Sequence, residues 1–266
     1  MATLAGVIGP GSPWYHTQAA PKRPCVRSWT VSLTTVFLDL YQTLAYFHPP
    51  REQRQARALR EFGLQVDESL LPRAYLMADH YYTLANAEEP LHLRSKQERH
   101  RVYVRFQEVL MEEAGLGHAT HLAEAVYARY WQMERELRLF PDAEPVLAEL
   151  KAEGFRLGLI TNVSDDPTPD LERLGLKERF DAVVASCLVG FDKPDPRIFH
   201  VALEALAAAP HEAVHVGDLI SADVEGARSA GIRAVLLDRH DLQRGLHHPR
   251  IVSLSELTPL LRNGSL

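Results

Sequence analysis

The run Thr35-Val36-Phe37-Leu38 is β-prone throughout and ends abruptly at Asp39. Successive strand residues point to opposite faces, so an apolar run without alternation has to be buried on both sides. Strands of that kind belong to parallel sheets covered by helices on either face. Four more such segments follow much later: Phe155–Ile160, Ala182–Ala185, Ala213–Val216 and Ile232–Leu237. Helical patterns separate them. Glu144–Glu153 stops at Gly154, a residue suited to ending a helix. Asp195-Pro196 supplies an N-cap and a first-turn proline for Arg197–Ala208, and Asp223–Ala230 stops at Gly231. Strands alternating with helices imply right-handed crossovers, hence an α/β fold with a doubly wound parallel sheet.

Residues 46–137 have a different texture, charged and poor in glycine and proline. Arg51–Phe62, Ser69–Leu84, Gln97–Ala114 and Ala119–Leu137 carry apolar residues at helical spacing, as in Val102, Phe106, Val109 and Leu110. The sequence therefore predicts an all-α cap at 46–137 inserted into a core formed by 33–45 and 138–262. Residues 1–32, with four prolines, three glycines and no periodicity in the first thirty, read as an unstructured extension. The net charge of −6 with scattered basic residues argues against nucleic-acid or anionic-membrane partners. No stretch reaches the ~18–20 apolar residues of a membrane span. Cys25 falls in that extension and Cys187 in an apolar strand, so they form no framework, which fits a reducing cytoplasm.

Ligands of open parallel sheets bind beyond the carboxyl ends of the strands. Asp39 ends the first strand, Thr161-Asn162 the second and Gly217-Asp218 the fourth; Lys193 follows the third, and Asp223 lies five residues past Asp218. Such a set suits a carboxylate nucleophile working on an anionic substrate. Asp39 would attack, with Lys193 steadying it and Thr161 and Asn162 holding the transferred group. Mg²⁺ accepts few carboxylates together with carbonyls, waters and substrate oxygens, so Asp39, Asp218 and the Tyr41 carbonyl would hold it, with Asp223 as ligand or loop anchor. Each residue also has a plain structural reading: Asp39 as a turn cap, Asp223 as a charge at a helix N-terminus, Lys193 as a surface lysine. Asp195 reads as an N-cap, His215 as a satisfied core histidine and His247-His248 as surface residues. Arg73 and Arg94 read as solvated surface.

Phe37-Leu38-Asp39-Leu40-Tyr41-Gln42-Thr43-Leu44, Ile160-Thr161-Asn162, Lys193-Pro194-Asp195-Pro196 and Val216-Gly217-Asp218 through Asp223 resemble, in order, the four motifs of subfamily I of the haloacid dehalogenase superfamily. That resemblance implies a Rossmann-like core, a helical cap closing over the site, an aspartyl intermediate on Asp39, Thr43 among the substrate-binding residues and Mg²⁺ as cofactor. It also implies a hydrolase, a phosphatase acting on a small phosphorylated metabolite. Two positions depart from the pattern. The family's phosphatases usually place a second aspartate where this chain has Tyr41, and glycine where it has Gln42. Tyr41 resembles the metal-independent 2-haloacid dehalogenases of the superfamily, whose leaving halide needs no proton. Those enzymes lack the Gly-Asp-x-x-x-x-Asp pattern that Gly217, Asp218 and Asp223 keep. Tyr41 is placed for the catalytic acid–base role, although a phenol is a poor base near neutrality. A phospho-ligand or partner-binding protein of weak activity is the third reading.

Overall fold

The computed structural model describes residues 33–245 and 247–263, and the expected extension at 1–32 lies outside them. Eight strands are present among the described residues: β1 Thr35–Leu38, β2 Ala45–His48, β3 Glu136–Leu139, β4 Arg156–Thr161, β5 Ala182–Ala185, β6 Ala213–Gly217, β7 Arg233–Leu237 and β8 Arg250–Ile251. Six of them form one sheet in the order β5-β4-β1-β6-β7-β8, and every pairing in it is parallel.

β1 sits in the middle, as its unalternating sequence demands. Val36 and Leu38 pack on one side with Leu147 and Leu150 of helix α5 (Ala143–Ala152) and Leu257 of the C-terminal helix (Leu257–Arg262). Phe37 points the other way, into a cluster with Ile198 and Phe199 of the helix Pro196–Ala205 and Ala227 of Gly226–Ser229. All three β1 side chains are fully enclosed, each worth roughly 1.5–3 kcal/mol of apolar burial. Phe37 lies opposite Gly158 of β4, where a Cβ would stand 2.4 Å from the Phe37 ring. The chain moves outward from β1 to β4 and β5, then crosses to β6 on the other side. That reversal creates a switch point at the carboxyl end of β1.

Between β2 and β3 lie four α-helices: α1 Arg51–Glu61, α2 Leu71–Glu88, α3 Lys96–Glu113 and α4 Ala123–Gln132. They bury two apolar clusters of their own. Leu59, Met111, Val126 and Tyr130 join α1, α3 and α4, whereas Leu71, Tyr75, Ala78 and Leu110 join α2 and α3 to Ala56 of α1. Ser95 and Glu98 close a reciprocal capping box at the start of α3.

Three segments differ from the sequence expectation. The pattern at 119–137 predicts one helix, but α4 ends at Gln132 and Glu136–Leu139 pairs antiparallel with Ala45–His48. Glu-Leu-Arg-Leu alternates with Leu137 inward, a period of two that the charged surroundings mask. This ribbon straddles both expected limits of the helical insertion. The segment at 223–230 winds first as a wide π-type turn over Ile220–Glu225, because the Asp223 and Val224 amides both return to the Leu219 carbonyl. Cys187 lies exposed in the short turn Ser186–Val189 rather than in a strand. No helix of the described residues is long and apolar enough to cross a membrane.

Gln42 adopts φ 62°, the left-handed region that glycine occupies without strain. A non-glycine residue there costs about 1–2 kcal/mol, against about 0.5–1 kcal/mol of extra unfolded-state entropy for glycine. Gln42→Gly is therefore expected to raise thermal stability by about 0.5–1 kcal/mol in calorimetric melts. A fall in stability would show instead that the Gln42 side chain holds the turn.

Candidate active site

The parallel register aligns four strand ends. Leu38 pairs with Leu159 on one side and Val216 on the other, so Asp39 stands beside the last residues of β4 and β6. The Asp39 amide donates to the Val216 carbonyl at 3.0 Å, holding the first residue beyond β1 in line with the sheet. Asp39, Thr161 and Asp218 thereby come together, as the sequence predicts from strand ends alone.

Lys193 completes the group from the loop before Pro196–Ala205. Its Nζ donates to Asp39 Oδ1 at 2.7 Å and to Asp223 Oδ1 at 2.6 Å, and the ammonium is almost wholly enclosed. Its peptide is gripped by Asn162, whose Oδ1 accepts the Lys193 amide at 2.8 Å and whose Nδ2 donates to the Lys193 carbonyl at 2.9 Å. Asn162, expected to bind substrate, thus spends its side chain on placing the lysine. Asp223 is also held on both oxygens. Besides Lys193 it takes His215 Nε2 at 2.9 Å on Oδ1 and the Leu219 amide at 3.0 Å on Oδ2. An expected metal ligand, it anchors the loop and the lysine here, with one acceptor site of Oδ2 to spare. His215 is the core histidine the strand pattern suggests, but only half satisfied: Asp223 partners Nε2, while the buried Nδ1 has no partner among the described residues. Gly217 makes the arrangement possible, since a Cβ there would stand 2.2 Å from Asp223 Cγ.

The charges divide unequally. Burial pushes the Asp39 carboxyl up and Lys193 pulls it back, leaving it raised to about 6. Burial raises Asp218 well above the usual range, and the Asp39 and Asp223 carboxylates add to that. Burial acts upward on Asp223 too, but the Lys193 ammonium and the His215 bond outweigh it and hold Asp223 low. Burial tends to discharge Lys193, yet Asp223 and Asp39 keep it firmly protonated. Lys193 therefore pairs with two carboxylates while Asp218 crowds them. A further cation, Arg51 of α1, feels Asp218 but is bonded to Asp79 at 2.7 Å.

Tyr41 stacks on Phe47 with ring centres 5.7 Å apart. Burial, then Asp170 and Asp39, push its phenol up to about 12, so it stays protonated and serves as no base at neutral pH. Thr43 and Thr161 are enclosed, and neither hydroxyl finds a partner among the described residues. Arg239, just past β7, donates to the Gln42 carbonyl at 3.3 Å and the Thr43 carbonyl at 2.8 Å while pairing with Asp142. It fixes the turn that carries Tyr41, and nothing local in the sequence marks it. Arg94 is spent on backbone carbonyls, including Glu89 at 2.9 Å, and Arg73 lies exposed beside Glu113.

Residues 33–231 match the family model described as haloacid dehalogenase-like hydrolase. A phosphoserine phosphatase of Thermus thermophilus is 44% identical over 140 residues, covering 50% of this chain and 53% of that protein, so the chain spans about half its length. A ribulose-1,5-bisphosphate 5-phosphatase of Halopiger xanaduensis is 31% identical over 212 residues, covering 77% of this chain and 84% of that one. Among solved structures, a 2-haloacid dehalogenase from Pseudomonas syringae pv. Tomato DC3000 superposes with a TM-score of 0.52 at 28% identity, covering 87% of this chain and 99% of that chain.

Gly217→Ala would push Asp223 off Lys193 and His215. The expected result is a loss of roughly 3–5 kcal/mol of stability, as for breaking a buried ion pair, read from denaturant melts. A variant as stable as the parent would show that Asp223 is not the anchor of this loop.

Proposed function

The chain belongs to the haloacid dehalogenase-like hydrolases, and from that premise we propose that it is a phosphatase acting on a small phosphorylated metabolite, with Asp39 as nucleophile and Mg²⁺ as cofactor. The observation that carries this reading is the charge at the strand ends. Asp39 and Asp223 share one ammonium, Lys193, and Asp218 beside them is pushed well up, so the three carboxyls do not all ionise without a further cation. A cation at the strand ends would let them ionise together and would offset the repulsion they present to any anionic substrate, a 2-haloacid included. The donors are hard oxygens, and Mg²⁺ needs only one or two carboxylates beside other oxygens. Among the described residues no three His, Cys, Asp or Glu side chains form a metal group, so a cation here would rest on two carboxylates, Asp39 and Asp218, with the Tyr41 carbonyl. The turn supports that role for Tyr41, because its bonds run through the Leu40 carbonyl and the Gln42 amide. When bound, the cation would neutralise the paired carboxylates and polarise the phosphoryl oxygens.

The residues of the chain account for the rest. Asp39 attacks phosphorus, the bond to the ester oxygen breaks, and an aspartyl phosphate forms while the leaving alkoxide takes a proton from water. Lys193 holds the Asp39 oxygen in place and neutralises charge on the transferred group. Asn162 keeps Lys193 there, and the free hydroxyls of Thr161 and Thr43 serve the phosphoryl oxygens. Water then attacks phosphorus, releasing phosphate and regenerating Asp39. The helices α1–α4 act as a cap that sets specificity and excludes bulk water. Tyr41 supplies no base for the second step, so turnover should be slow.

Phosphate release from small esters, measured with Mg²⁺ and with EDTA, tests the reading. Activity should vanish in EDTA and fall to about a thousandth or less in Asp39→Asn. Halide release from 2-haloacids indifferent to EDTA would overturn it in favour of the dehalogenase chemistry that Tyr41 resembles. Tyr41→Asp, which supplies the missing acid–base group, should raise kcat on alkyl phosphates by about a hundredfold. An unchanged kcat would mean that another group already moves the proton.

A further inference from the structure

A cleft of about 550 Å³ opens beside the strand ends, walled by both the core and the helices. Its core wall includes Asn162 and Asp192, chain neighbours of Thr161 and Lys193, which places it beside the strand ends. Its other wall is Tyr82 of α2 with Arg99 and Tyr103 of α3. In a phosphatase, the alcohol half of the ester would lie here.

Arg99 differs from the other cations around the site. Lys193 is consumed by Asp39 and Asp223, and Arg51 by Asp79 and Glu52. Arg94 is turned onto backbone carbonyls and Glu89. Arg99, partly buried, makes one hydrogen bond among the described residues, from Nη1 to the Arg94 carbonyl at 3.2 Å, and no ion pair. A guanidinium carries five donors and is normally paired when withdrawn from water. Its backbone is fixed, because the capping box of Ser95 and Glu98 defines the first turn of α3 on which it stands. The Tyr82 and Tyr103 rings beside it stack at 6.2 Å and 16°, a flat surface for a short carbon skeleton. A preorganised cation with spare donors, across a cleft from Asn162, suits the planar fork that Arg offers to carboxylate or phosphate.

We propose that Arg99 is a specificity-determining residue that binds a second anionic group, carboxylate or phosphate, on the alcohol half of the substrate. The inference rests on the phosphatase reading and narrows its substrates to phosphate monoesters of anionic alcohols. Arg99 takes no part in bond breaking, so its loss should appear in KM and in selectivity.

Two matched pairs test this and separate the two anions: 3-phosphoglycerate against glycerol 3-phosphate, and ribulose 1,5-bisphosphate against ribulose 5-phosphate. The parent enzyme with Mg²⁺ should favour the doubly anionic member of at least one pair by about tenfold or more in kcat/KM. Arg99→Ala should raise KM for that member by about 10–100-fold and bring the ratio close to one. Arg99→Lys should recover part of the preference, since it keeps the charge and loses the fork. No preference in the parent, or an equal loss on both members of a pair in Arg99→Ala, overturns the proposal. If neither pair is turned over, calorimetric binding of the same four compounds to Asp39→Asn, with and without Arg99→Ala, decides it: preferential binding that Arg99→Ala abolishes supports the assignment, and indifference to Arg99 overturns it. Absence of phosphate release from every ester alongside an Arg99-dependent binding preference would reject the phosphatase reading while leaving the anion site standing.

Discussion

The Lys193 ammonium lies within hydrogen-bond reach of two carboxylates, Asp39 and Asp223, in a place that water scarcely touches. A lysine there without partners would lose its proton, and either aspartate alone would gain one. Together they stay ionised, but only while the geometry holds, because a buried pair repays its desolvation only at good distances and with its remaining valences satisfied. Much of the surrounding structure supplies those conditions. Asn162 fixes the lysine backbone, His215 and the Leu219 amide take further valences of Asp223, and Gly217 leaves room for Asp223 to approach. The wide turn at Ile220–Glu225 follows from the same requirement, since it lets the Asp223 carboxylate fold back onto the Leu219 amide.

On the phosphatase proposal, this arrangement separates the residues that would act on a substrate from those that hold them in place. Asp39, Asp218 and the two free threonine hydroxyls belong to the first group. Asn162, Asp223, His215 and Arg239 belong to the second. Sequence pattern alone treats both alike, because strand-end polar residues look the same whether they point at a ligand or at a neighbouring loop.

The sheet and the strand-end residues were legible because both follow from local rules. An unalternating apolar run has to be central, and parallel strands have to bring their carboxyl ends to one edge. What could not be read depends on pairings distant in sequence. The β2–β3 ribbon joins residues about ninety positions apart, and its strands carry too few apolar residues to stand out. Arg239 acts on Gln42 and Thr43 from nearly two hundred residues away. Arg99 looks like any helical surface arginine until the fold sets it across a cleft from Asn162. Arg94, with the same local appearance, is instead consumed by its own backbone neighbourhood.

The departures at Tyr41 and Gln42 belong to one turn and have one electrostatic consequence. An aspartate at 41 would set a fourth carboxylate near Asp39, Asp218 and Asp223, where burial acts upward on all three and leaves two of them raised. The phenol adds no charge, so the crowding of carboxylates goes no further. Tyr41 also couples the turn to the helices by stacking on Phe47 in the ribbon that leads to α1. Gln42 then follows a larger and better-packed residue than the family's aspartate. The Gln42 and Thr43 carbonyls held by Arg239 keep the left-handed turn in place without glycine. The residue that offers no base in the proposed reaction thus contacts the ribbon between core and helices. In this chain the turn after β1 carries mechanical load where its relatives' pattern carries an acid.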